Sequence, residues 1–263
     1  MKLSISNIAW EEKDDQIVYV LMKSNGFAGV EIAPTRVIPE LPYSHIDEAV
    51  KWYRKIQNEY GFVVPSMQSI WYGRQEKLFG TDEDREKLLN YTKSAIDFAS
   101  SIGCNNLVFG CPRNRNMPEG ADESLAVEFF KSIGDYAYRQ GTIIGMEANP
   151  PIYNTNFING TRSAVELIEK VDSEGFKLSL DVGTMIENGE DVSELIGKEH
   201  LINHVHVSEP GLRPIQKREL HNELADVLRS TNYSNFVSIE VGKQDSVEAL
   251  GEMMNYIKCV FGS

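Results

Sequence analysis

Eight short apolar runs punctuate the chain at near-regular intervals. They are LSIS at 3–6, GVEIA at 29–33, FVVPSM at 62–67, NLVFG at 106–110, TIIGME at 142–147, KLSLDV at 177–182, NHVHVS at 203–208 and FVSIEV at 236–241. Continuous runs of this length, rather than strict alternation of apolar and polar residues, predict strands covered on both faces, as in a parallel sheet. Segments of helical period separate them. Leu88, Ala95, Ile96, Ala99 and Ile102 form one face after Thr81 and Asp84, a capping pair, and Leu250, Met253, Met254, Ile257 and Val260 do so after Ser246. Gly26, Gly61, Gly103, Gly141 and Gly175 each stand one to three residues before the next run, where a helix ending in a left-handed residue would turn the chain back tightly.

The connections leaving the runs are longer and carry the unusual residues: SIWYGRQEKLFG, GCPRNRNMPEG, NPPIYNTNFING and SEPGLRPIQ. Eight strand–helix units in 263 residues, with elaboration confined to one end of the strands, predict an α/β chain folded as one (β/α)8 TIM-barrel domain over 1–263, its active site at the elaborated end. A doubly wound open sheet is the alternative, but it usually has fewer strands, and no glycine-rich phosphate fingerprint is present.

Composition narrows the function. With 26 Lys and Arg against 39 Asp and Glu the formal charge is −13, so the long-range field repels phosphate backbones and anionic lipid, and neither nucleic acid nor a membrane is an expected partner. No 18 apolar residues run together, and the N-terminal MKLSISNIAWEEKDD does not have the pattern of a signal peptide. Cys104, Cys111 and Cys259 suit neither a disulfide framework nor a zinc knuckle, which fits a reducing cytoplasm.

Four of the last runs end in a group able to bind metal: Glu147, Asp181, His206 and Glu240. A lone acid among Ile, Leu and Val is costly to bury unless a cation or donors meet it, and four such groups on successive strands would converge on one spot. Three carboxylates and an imidazole suit one divalent ion, Mn2+ or Mg2+ first, with Co2+ or Zn2+ also compatible. The plain alternative is that each acid caps a helix or pairs with a lysine at the rim.

With E-x-N after the fifth run, Asp on the sixth, H-V-S-E on the seventh and Glu on the eighth, the chain resembles the sugar phosphate isomerase/epimerase family, the xylose-isomerase-like TIM barrels, over essentially its whole length. That family spans ketose 3-epimerases, hydroxypyruvate isomerases, inosose and dehydroshikimate dehydratases, and endonuclease IV-type repair enzymes. The resemblance implies that Glu147, Asp181, His206 and Glu240 hold the metal, and that Glu147 and Glu240 exchange protons with a substrate carbon. His204, on the same strand face, is the competing ligand. The implied reaction is isomerisation or epimerisation of a small sugar, sugar phosphate or sugar acid through an enediolate, with a dehydratase as runner-up and a non-catalytic sugar-binding barrel behind it. A repair endonuclease would need a basic face and more than the five histidines present. The chain departs from the ketose-epimerase pattern at Thr184, where a histidine is common, and at Arg213, one residue later than expected.

Asn149, Gln68, Glu209 and Arg113 are candidate substrate contacts, Asn149 through the E-x-N element. Arg113 and Arg115 form the only arginine pair on a strand-to-helix loop, a candidate anion site whose alternative is solvated loop charge. Trp10, Glu31 and Trp71 follow the first three runs and would line a sugar pocket or simply pack the rim. His221 is expected as a solvated helix histidine, and Cys111 as unreactive for want of an activator. A homo-oligomer is expected from the family alone.

Overall fold

The computed structural model describes residues 1–262. Seven parallel strands, β1 (Lys2–Ser6), β2 (Gly29–Glu31), β3 (Leu107–Phe109), β4 (Ile144–Met146), β5 (Phe176–Asp181), β6 (Ile202–Val207) and β7 (Phe236–Ile239), form one sheet in the order β2-β1-β7-β6-β5-β4-β3. The run at 62–67 is the eighth stave, bridging Gly29 and Ile32 on one side through Val63 and Met67, and Leu107 on the other through Met67. It pairs through isolated bridges rather than a ladder because Pro65 interrupts it with a residue that has no N–H to donate. The barrel predicted from the spacing is therefore present, with its third strand reduced.

Register shows a pattern that the reading of continuous apolar runs missed. The runs alternate. Leu3 and Ile5, Leu178 and Leu180, Val205 and Val207, and Val237 and Ile239 are buried hydrophobics on one strand face, while Ser4 and Ser6, Ser179 and Asp181, His204 and His206, and Ser238 and Glu240 occupy the other. The apolar set packs against the helices and the small or polar set fills the barrel. Side by side in register lie His206, Ser238, Ser4 and Gly29, so one imidazole shares its row with small residues.

The outer helices form as their sequences require. In α4 (Asp82–Ser101) Thr81 and Asp84 make the reciprocal capping box, and Leu88, Ala95, Ile96 and Ala99 are buried. In α9 (Val247–Phe261) the Ser246 hydroxyl accepts from the Ala249 N–H, and the predicted apolar face is buried. Gly26, Gly61, Gly103 and Gly141 all have positive φ as expected, but Gly175 does not. The left-handed residue at that turn is Asp172. Gly175 is glycine because the chain passes α5 (Ser124–Arg139) too closely for a side chain: a Cβ there would stand 2.0 Å from the Gly134 carbonyl oxygen. His221 is also corrected, being wholly buried in α8 (Glu219–Ser230), with Nδ1 2.9 Å from the Tyr256 hydroxyl. Burial pushes its pKa down to about 4.

Replacing Gly175 with alanine is expected to destabilise the protein by about 1–3 kcal/mol, because the backbone of α5 must shift to admit the methyl group. Urea denaturation measures this, and an unchanged midpoint would contradict the packing described.

Candidate metal centre and substrate cavity

At the C-terminal ends of the strands, ligand atoms of Glu147, Asp181, His206 and Glu240 all lie within 4.8 Å of one another. Glu147 follows β4, Asp181 ends β5, His206 lies in β6, and Glu240 follows β7, so neighbouring strands deliver the set. Atoms on opposite sides of an ion with bonds near 2.1 Å stand about 4.2 Å apart, so these residues could close on one divalent cation with little movement. His206 Nδ1 stands 2.9 Å from Glu147 Oε1 and 3.3 Å from Glu240 Oε2. His204 is not part of this set; its Nε2 faces Glu31 at 2.8 Å, deeper in the barrel.

Glu31 is the residue around which the interior is arranged. It is fully buried, and its Oε2 lies 2.9 Å from His206 Nε2 as well as 2.8 Å from His204 Nε2. Oxygens of Glu31, Glu240 and Ser6 surround one end of the Gln68 amide, which must therefore be the nitrogen, 2.7 Å from Glu31 Oε1 and 2.9 Å from Glu240 Oε1. Gln68 thus links the buried carboxylate to the cluster at the mouth. Burial alone would push the Glu31 carboxyl up, but the two histidines outweigh it and hold it well below the usual carboxylate range. Burial would likewise push the His206 pKa down, yet Glu31, Glu240 and Glu147 together raise it well above that of a free imidazole. With Nε2–H fixed on Glu31, Nδ1 is the nitrogen presented to the cavity.

Each carboxylate has its own support. The Thr184 N–H donates to Asp181 Oδ2 at 2.8 Å, and the Ser208 hydroxyl donates to Asp181 Oδ1. Asn149 Nδ2 donates to Glu147 Oε2 at 3.1 Å, and Asn149 Oδ1 accepts from Arg115 at 2.9 Å. Arg115 also donates to the Glu147 carbonyl at 2.9 Å and is completely buried. It is therefore a brace behind the site, and of the candidate Arg113–Arg115 anion pair only Arg113 is exposed. Gly110 is required at the contact, since a Cβ there would lie 2.7 Å from Glu147 Oε2. Burial, reinforced by Glu147 and Asp181, pushes the Glu240 carboxyl up to about 7 against the opposing pull of His206. Burial and Glu147 also raise Asp181.

The cavity over these groups has a volume of about 160 Å³ and is walled by Gln68, Asn149, Tyr153 and Leu212, among others. Glu209 is not in its wall; its carboxylate is taken by Arg218 and by the Gln216 N–H at 3.1 Å, which fixes the loop after β6. Arg113 lines an adjoining cavity instead. Arg213 is exposed and donates to the Pro210 carbonyl at 2.9 Å, so Leu212, an apolar residue, faces the site from this loop. Trp10 and Trp71 are buried, their indole N–H groups donating to Asp15 and to Thr92, each at 2.8 Å. Burial pushes the Cys111 thiol up to about 12, in keeping with an unreactive thiol. Sequence reasoning missed Gly110, Tyr153 and the support given by Ser208; only Ser208 had a signal, lying inside H-V-S-E.

The model of the xylose isomerase-like TIM barrel family matches residues 20–258, and the chain belongs to that family. Its fold is similar to that of a 3-keto-D-glucoside 4-epimerase from E. coli, with a TM-score of 0.78 at 19% identity over 98% of this chain and 99% of the other. A D-psicose 3-epimerase from Clostridium cellulolyticum H10 aligns over the whole of both chains with a TM-score of 0.82 at 14% identity. A probable 3-DHS dehydratase from Bacillus anthracis gives 0.71 at 15% identity, covering 98% of this chain and 99% of its own. At such identities the likeness is one of fold. A search of curated proteins finds no significant match. No helix among the described residues is long and apolar enough to cross a membrane.

Replacing Glu31 with glutamine removes the charge that orients His206 while keeping its size. Mn2+ affinity measured by calorimetry is expected to fall about 10- to 100-fold. Unchanged affinity in a folded variant would show that Glu31 does not act through the histidine.

Proposed function

We propose that the protein is a divalent-metal-dependent isomerase or epimerase of a small sugar, sugar phosphate or sugar acid. The observation that carries this reading is the pair Glu147 and Glu240. They follow β4 and β7, which have two strands between them, with His206 Nδ1 within 3.3 Å of both. Both carboxylates line the cavity, so each is within reach of a carbon held there, as removal of a proton by one group and return of a proton by another requires.

Glu147, Asp181, Glu240 and His206 Nδ1 would hold the ion, and a mostly oxygen donor set with one nitrogen favours Mn2+. A divalent cation there supplies Lewis-acid polarisation of a carbonyl and its neighbouring hydroxyl, making the α hydrogen acidic. One glutamate takes the α proton, and the other delivers a proton to the opposite face. Burial gives Glu240 a pKa near 7 without the ion, in the range suited to proton exchange. Coordination lowers it again, so the placement of Glu240, fixed by Gln68, contributes more than its basicity. Gly110 lets Glu147 approach the loop backbone, and Tyr153, which lines the cavity and accepts from the Gly211 N–H at 2.8 Å, ties two rim loops together.

A dehydratase is the second reading, because loss of a β hydroxyl begins with the same abstraction. What favours it is the departure from the ketose-epimerase pattern: Thr184 is committed to Asp181 and the Ala148 carbonyl, and Leu212 rather than Arg213 lines the cavity. The three free cysteines fit a reducing compartment, the cytoplasm.

Two measurements test this reading. With Mn2+, deuterium from solvent is expected to enter one carbon of a ketose or sugar phosphate, and Glu147→Gln or Glu240→Gln to reduce that exchange at least a thousandfold while the fold is retained. An unsaturated product would select the dehydratase, and no exchange with any of a broad panel would overturn both. Metal binding should also displace protons held by His206 Nδ1 and Glu240, about two at pH 6 and closer to one at pH 8, where Glu240 is already ionised. Calorimetry in buffers of different ionisation enthalpy reads the number, and none released would contradict the ligand set.

A further inference from the structure

Beside the acid cavity lies a larger one of about 590 Å³, formed by the loops that follow the 63–67 stave and β3. Ser69, Cys111 and Pro112 line both, so the two communicate. The acid cavity alone is smaller than the roughly 300–1,000 Å³ of ordinary ligand sites, which leaves room there for little more than the reacting end of a substrate.

The charge of the second cavity is the reverse of the protein's. In a chain of net charge −13, its charged lining residues are Arg74, Lys77 and Arg113, and no Asp or Glu lines it. Arg74 is neutralised by Glu76 and lies over the Tyr91 ring, its guanidinium carbon 4.7 Å from the centroid. Lys77 donates to the Arg113 carbonyl at 2.7 Å, which joins the two loops, and among the described residues neither Lys77 nor the Arg113 side chain has an ion-pair partner. Asn114 donates to the carbonyls of Arg74 and Glu76 at 3.1 and 2.8 Å, bracing the loop that carries Lys77. The cations are thus mounted on a braced wall.

We propose that this cavity is a subsite for an anionic group, phosphate or carboxylate, that the substrate carries several bonds from its reacting carbon, with Lys77 and Arg113 as its counterions. The inference rests on the acid cavity handling a sugar carbon. Three carboxylates around one divalent ion leave an excess of negative charge at the mouth, so an anionic substituent must lie away from it. The adjoining cationic cavity is where the field favours it, and Arg113 can bind its oxygens in a forked geometry.

Calorimetry on the full chain tests this with fructose, fructose 6-phosphate and a hexuronic keto acid, in chelator and again with Mn2+. At least one of the two anionic ligands is expected to bind tenfold or more tightly than fructose under both conditions, and which one does identifies the group. Lys77→Ala/Arg113→Ala should abolish the preference, whereas Lys23→Ala/Lys258→Ala, with the same change in net charge in the last turns of the helices Asp15–Ser24 and Val247–Phe261, should keep it. Equal binding of all three ligands, or a preference that survives in the first variant or vanishes in the second, overturns the proposal. Because the chelated protein is measured too, failure of the metal-dependent reaction would be seen separately, as absent deuterium exchange with the anion preference intact.

Discussion

The structure depends on one imidazole held between two sets of negative charge. His206 reaches Glu31 inside the barrel with Nε2 and the carboxylates at the mouth with Nδ1. An acid as deeply buried as Glu31 would be severely destabilising alone, and two histidines and the Gln68 amide are what make it tolerable. In return it fixes which nitrogen of His206 faces outward. Small residues, Ser238, Ser4 and Gly29, share the row of His206, and at Gly29 the space is taken by the Phe236 ring and Pro65.

A second line of support runs from outside inward. Arg115 places a full guanidinium in the protein interior, where it holds the Glu147 backbone and the Asn149 amide, and Asn149 in turn holds the Glu147 carboxylate. Asp181 is restrained by Thr184 and Ser208, and Glu240 by Gln68. Side chains fixed in this way leave little rearrangement to be done when a ligand binds, which is the condition for catalysis by positioning. The cationic cavity alongside would extend the same logic from the reacting carbon to the rest of the substrate.

The barrel was legible because spacing, glycine placement and loop asymmetry all follow from how a strand–helix unit closes. Glu147, Asp181, His206 and Glu240 stood out because an isolated acid or imidazole at the end of an apolar run has few structural explanations. Their gathering within 4.8 Å is what regular recurrence at strand ends suggested. What stayed hidden depended on contacts between residues distant in sequence. Arg115 and Arg113 are two positions apart on one loop, yet one is a buried brace and the other an exposed cation. Glu209 looked like a site residue from its nearness to His206, but Arg218 takes its carboxylate. His221 lies on a helix with polar neighbours, and only packing against Tyr256 reveals its burial. The inward set of serines went unread because a serine inside an apolar run has no signature separating barrel interior from sheet surface.

As proposed above, the four strand ends hold one divalent ion and His206 contributes Nδ1. Anomalous diffraction from crystals grown with Mn2+ locates that ion. A single strong peak bonded to Glu147, Asp181, Glu240 and His206 Nδ1, with Nε2 still on Glu31, is expected. A peak among Glu31, His204 and His206, or none at saturating Mn2+, would contradict it.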